Sequence, residues 1–92
     1  MDDDGLPLLP GFREIAQRRR RVIEELAGAR RTAGMSQTEV AARMGTSQSV
    51  VARLESGEID ARLSTLQRYA AAVGHELELG VRRPSNGQEG PA

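Results

Sequence analysis

Met35–Gly57, MSQTEVAARMGTSQSVVARLESG, spells two short helices joined by a sharp turn. Ser36 and Glu39 form a capping box: the Ser36 hydroxyl accepts from the Glu39 backbone N–H, and the Glu39 side chain reaches back to Ser36. Val40, Ala41 and Met44 follow as a narrow apolar stripe at helical spacing. Gly45 stops that helix, because glycine enters the left-handed conformation without a Cβ clash. Ser47 is a good N-cap for a second helix. There Val51 and Leu54 face inward, while Gln48, Ser49, Ala52 and Arg53 fall on the other side and Gly57 ends the run.

The outward set carries the functional information. Gln hydrogen-bonds adenine and Arg hydrogen-bonds guanine in the major groove, and Ala52 offers the small apolar surface that meets a thymine methyl. Ser47 and the free N–H groups at the helix start suit a phosphate. Gln37 and Arg43, at the two ends of the first helix, are placed to touch the DNA backbone. Periodicity alone also fits an ordinary helical hairpin with a solvated polar face.

The segments SQTEVAARMG, SQSVVARLESG and LSTLQRYAAAVG resemble the helix-turn-helix of the Cro/cI-type (XRE-like) family, over roughly residues 22–74. Ala41 stands at the tight helix crossing, Gly45 at the turn, and Val51 and Leu54 at the apolar positions. The resemblance implies a lambda-repressor-like fold, with Gln37, Ser47, Gln48, Ser49 and Arg53 where family members contact DNA. With Arg43, Thr46 and Ala52 these make the set expected to touch DNA. It further implies that Arg30, on the inner side with Leu26 and Ala33, pairs structurally with Glu55 near the end of the recognition helix. Val50 departs from the family pattern, at a position that is often polar.

The rest of the chain fits around this core. Ninety-two residues allow one small domain. The net charge is zero, every basic residue is Arg, and there is no cysteine, so neither a disulfide nor a thiolate metal site is available. Residues 1–11, MDDDGLPLLPG, are acidic and rich in Pro and Gly. They read as a flexible arm rather than a secretory signal, with Leu6, Leu8 and Leu9 a possible partner contact. Nothing approaches the roughly 20 apolar residues of a membrane span, so the cytoplasm is the expected location.

Phe12–Ala33 reads as helical, with one partial stripe at Phe12, Ile15 and Ala16 and a better one at Val22, Ile23, Leu26, Ala29 and Ala33: either one long helix or, as favoured, a short helix and the first domain helix with a boundary near Arg18–Arg20. The Arg18–Arg21 run spans a full turn, so its members diverge and read as a solvated face. Ser64 and Gln67 suggest a second capping box, and Leu63, Leu66, Tyr69, Ala70 and Val73 have helical spacing up to Gly74. HELELGVRR then changes period to two, with Leu77, Leu79 and Val81 on one side of an expected strand over 75–83 that joins two copies into a homodimer. Residues 84–92 read as a disordered tail.

No catalytic constellation emerges. His75 is the only histidine, so neither a multi-histidine metal site nor a Ser-His-Asp triad with spare partners is available. The reading is a non-enzyme without cofactor: an all-α, lambda-repressor-like bundle of four to five short helices with a C-terminal β-strand (domain 12–74), binding double-stranded DNA at a palindromic operator. SGEIDARLSTLQRYAAAVGHELELGV also resembles HigA-type antitoxins, which implies repression of its own operon and neutralisation of a HigB-type ribonuclease toxin. A stand-alone transcription regulator, and a protein-interaction module that does not bind DNA, remain as alternatives.

Overall fold

A computed structural model describes residues 12–83 as four helices. The expected arm over 1–11 and tail over 84–92 lie outside the described residues. Helix α1 spans Phe12–Thr32, α2 Gln37–Met44, α3 Gln48–Ser56 and α4 Leu63–Ala72. Helix α2 packs mainly on α3 and then on α4, and α1 closes over α3 and α4.

Helix α1 is continuous through all 21 of its residues, which corrects the expected break near Arg18–Arg20. Arginine is a good helix former and no Pro or Gly interrupts 12–27, so nothing there ends the helix. Arg19 ion-pairs with Asp60 in the α3–α4 loop, tying this part of α1 to the bundle. Ile15, nearer the N-terminus, is 60% exposed.

The helix starts and stops of the central pair follow local chemistry. Ser36 Oγ accepts from the Glu39 N–H at 3.0 Å and Glu39 Oε1 accepts from the Ser36 N–H at 3.3 Å. Ser47 caps α3 through the Val50 N–H at 3.3 Å. Gly45 closes α2 at φ 75°, its N–H donating to the Ala42 carbonyl, while the Thr46 N–H donates to Ala41.

No atom lies within 4 Å of a Cβ built on Gly45. Gly45→Ala therefore carries only the left-handed backbone cost, ~1–2 kcal/mol. We expect a fall in Tm of about 5–15 °C with unchanged DNA preference, measurable by thermal denaturation; an unchanged Tm would mean that the turn relaxes.

Ser64 does not cap α4. The helix begins one residue earlier, with Arg62 at its N-cap and no side-chain capping bond, so Ser64 is already inside the first turn. The core gathers Ile23, Leu26 and Ala27 from α1, Val40, Ala41 and Met44 from α2, and Val51 and Leu54 from α3. Leu66, Tyr69, Ala70, Ala72 and Val73 complete it. Each large member contributes ~1.5–3 kcal/mol by leaving water. Leu63, expected inward, stays half exposed.

The C-terminal strand is a correction: among the described residues no strand forms, and 75–83 run as irregular chain after Gly74. A strand is stabilised by a ladder, and among the described residues this segment has no neighbouring strand to pair with. The His75 N–H instead donates to the Ala70 carbonyl at 2.8 Å, closing α4, and Leu77 packs on the core. Leu79 and Val81 remain 57% and 103% exposed.

Candidate nucleic-acid interface

Helix α3 presents Gln48, Ser49 and Arg53 to solvent while Val51 and Leu54 anchor it in the core. Ala52 and Thr46 are half-buried beside them, and Val50 packs at the core edge. This placement follows from a single helical turn. Residues 51 and 54 share the inner face, so 48, 49, 52 and 53 are carried to the outer one. Ser47 Oγ lies 3.2 Å from Ser49 Oγ while it caps the helix.

The first residues of α2 and α3 meet side by side. Gln48 Nε2 donates to Gln37 Oε1 at 2.6 Å, and Gln37 Nε2 donates to Glu55 Oε1 at 3.0 Å. Arg43 is placed differently: its guanidinium donates to the Ala72 carbonyl at the end of α4, a helix end that attracts positive charge. The α3 residues are thus gathered with Gln37, and Arg43 is held against α4.

Beneath this face lies a polar cluster. Arg30 grips Glu55 in a bidentate fork, Nε to Oε2 at 2.7 Å and Nη2 to Oε1 at 3.1 Å. The third Arg30 nitrogen donates to the Met35 carbonyl at 2.9 Å, and the Tyr69 hydroxyl donates to Glu55 Oε2. The Arg30 and Glu55 side chains are only 12% and 10% exposed. Burial pushes the Glu55 carboxyl up, but the hydrogen bonds from Arg30, Tyr69 and Gln37 outweigh it and hold the group below its ordinary value. Burial and donation to Glu55 raise the Tyr69 hydroxyl.

Sequence reading took Tyr69 as a core residue and missed its part in this cluster. The available signal was its chemistry: a lone Tyr inside an apolar stripe brings a hydroxyl that needs a buried partner. Among the described residues no group of three or more His, Cys, Asp or Glu side chains gathers as a metal site. No helix among them is long and apolar enough to cross a membrane.

A family profile described as Helix-turn-helix matches residues 26–79. Antitoxin HigA1 of Mycobacterium tuberculosis, in two strains, is 40% identical over 79 residues, covering 86% of this chain and 53% of the relative. An uncharacterized HTH-type transcriptional regulator of Haemophilus influenzae is 33% identical over 65 residues, covering 71% of this chain and 66% of the relative. The chain thus spans about half the length of the HigA1 antitoxins it matches. No solved structure matches it at a significant level. A profile match across more than half the chain, on the α2–turn–α3 unit just described, leads to one conclusion: the chain belongs to the Cro/cI-type (XRE-like) helix-turn-helix family of DNA-binding domains, which are not enzymes.

Proposed function

We propose that this protein is a sequence-specific, double-stranded-DNA-binding transcriptional regulator acting in the cytoplasm. In this reading it is an antitoxin that represses its own operon and neutralises a HigB-type toxin. The observation that carries the DNA part is the exposed Gln48, Ser49 and Arg53 face of α3, a helix that follows the Gly45 turn and is anchored in the core by Val51 and Leu54. The toxin part is supported by 40% identity to antitoxins named HigA1. A stand-alone regulator is the second reading, favoured by the similarity to an HTH-type transcriptional regulator of Haemophilus influenzae.

The protein works as a homodimer on a palindromic operator. One recognition helix covers only a few base pairs, and two held about 34 Å apart read both half-sites. The exposed Leu79 and Val81 supply the apolar surface for the second copy.

A gel shift on the gene's own upstream region tests DNA binding; absence of any shifted complex would remove both regulatory readings. Co-expression with a neighbouring basic, ribonuclease-like protein separates them, since only an antitoxin forms a stable complex and restores growth.

In the site, Arg53 reads a base from the exposed side of α3. Arg53→Ala should cost about 1–3 kcal/mol on the cognate duplex and blur preference at one base pair. Selection from a randomised pool measures this, and an unchanged consensus would refute the role.

A further inference from the structure

We propose that Glu55 and Tyr69 are positioning residues for base choice: acting through Gln37, they fix which end of the Gln48 amide is free to read DNA. The inference rests on the DNA-binding reading above and goes beyond it. It starts from an unbroken chain of hydrogen bonds that runs from the core to the tip of the recognition helix.

Tyr69, 2% exposed, donates to Glu55 Oε2, which also accepts from Arg30 Nε at 2.7 Å. Glu55 Oε1 accepts from Arg30 Nη2 at 3.1 Å and from Gln37 Nε2 at 3.0 Å. Gln37 Oε1 accepts from Gln48 Nε2 at 2.6 Å. Tyr69 and the Arg30 fork hold the carboxylate in place, leaving the outer side of Oε1 as the docking point for Gln37.

The polarity of this chain is dictated from its inner end. A carboxylate gripped by a guanidinium is ionised, and an ionised carboxylate only accepts. The Gln37 atom against it must therefore be the NH2 group. The Gln37 amide oxygen is then turned toward Gln48, and since that oxygen also only accepts, Gln48 must offer its own NH2 group. Gln48 is left with Oε1 as an acceptor and its second N–H as a donor. That pair matches the N6 amino group and N7 of adenine.

Flipping both amides inverts the result. Gln37 would donate to Gln48 Oε1, and Gln48 would turn its NH2 group outward in place of the oxygen, where its two donors match O6 and N7 of guanine. The Glu55 charge forbids this state, because it would set the Gln37 oxygen against a carboxylate oxygen. Glu55 thus selects adenine over guanine without touching either base.

Two variants of the full-length protein test the proposal. Glu55→Gln keeps the shape but can donate as well as accept, which frees the flip. Gln37→Met removes the link while leaving Arg30, Glu55 and Tyr69 in contact. Should Glu55→Gln melt below the assay temperature, Gln37→Met carries the test. The base pair in question is the one whose preference disappears in Gln48→Ala.

At that pair the wild type should favour adenine over guanine by roughly 5- to 150-fold, the range of one bidentate contact. Both variants should fall to within about threefold there and keep their preferences elsewhere. A folded variant that retains the wild-type adenine-to-guanine ratio overturns the proposal, as does an even loss at all positions, which is what a merely structural role gives.

Nitrogen-15 relaxation of the Gln48 side-chain amide in the free protein supplies a second readout. Its order parameter should lie above about 0.6 in the wild type and fall below it in Gln37→Met. This arm needs no DNA. If the wild type selects no sequence, the DNA reading fails while relaxation still decides the relay: an amide equally mobile in both proteins would refute it.

Discussion

Glu55→Ala is expected to destabilise the fold by about 4 kcal/mol and Arg30→Ala by about 3 kcal/mol, within the range for breaking a buried ion pair from one side. For a domain of this size these losses are roughly 12–30 °C in Tm. The order follows from what each truncation strands. Removing the Glu55 carboxylate takes the acceptor from Arg30, Tyr69 and Gln37 together. Removing the Arg30 guanidinium leaves Glu55 with the Tyr69 and Gln37 donors and costs the Met35 carbonyl its partner. Thermal or urea unfolding measures the losses, and wild-type melting in both variants would show the cluster to be energetically idle.

The same cluster sets the pH range of stability. The Glu55 carboxyl sits below its ordinary value of 4.5 when folded. Its contribution is complete above that value and drains as pH falls through the lower folded one. The Tyr69 hydroxyl is raised above its ordinary 10.0, so its contribution is complete below pH 10 and is lost as pH rises toward the folded value. Arg30, held still more firmly protonated by its bonds to Glu55, stays charged throughout. Tm should therefore be level between about pH 5 and 9 and fall on both sides, and in Tyr69→Phe the alkaline fall should shrink.

The features legible in the sequence are those decided within a few residues. The Ser36–Glu39 box, the Gly45 stop and the Ser47 cap each depend on chemistry three or four positions apart, and each is found. The Ser64 box fails because a helix start also depends on which residues must point inward. Starting at Leu63 buries Leu66 and Tyr69 whether or not a serine stands at the cap. The expected break in α1 rests on two separate apolar stripes, one at Phe12, Ile15 and Ala16 and one from Val22 onward, and a gap between stripes does not end a helix. The strand was read from a period of two, which gives side-chain faces but cannot supply a ladder partner. The Glu55 cluster joins positions 30, 37 and 69, on three different helices, so no local pattern records it beyond the family resemblance that implied Arg30 with Glu55.

Replacing Leu79 and Val81 together by Asp is expected to produce a monomer that keeps its helical circular dichroism and binds the palindromic operator about 10²- to 10⁴-fold more weakly. That is the loss expected when two linked half-site contacts become one. The pair is chosen over truncation at Gly74 because Leu77 packs on the core, so removing it would confuse dimerisation with folding. Leu79 and Val81 are largely in solvent in the single chain and contribute little to its stability. In the proposed dimer this segment of alternating apolar residues, which has no ladder partner among the described residues, would find hydrogen bonds and cover in an antiparallel copy of itself across a two-fold axis, since such an interface is self-complementary. Four carboxylates brought together at that axis would repel one another and disfavour pairing. Sedimentation and a full-site against half-site titration read the two consequences separately. A double variant that remains dimeric and binds the full site normally would move the interface to α1, where Ile15 also leaves a large apolar side chain mostly exposed.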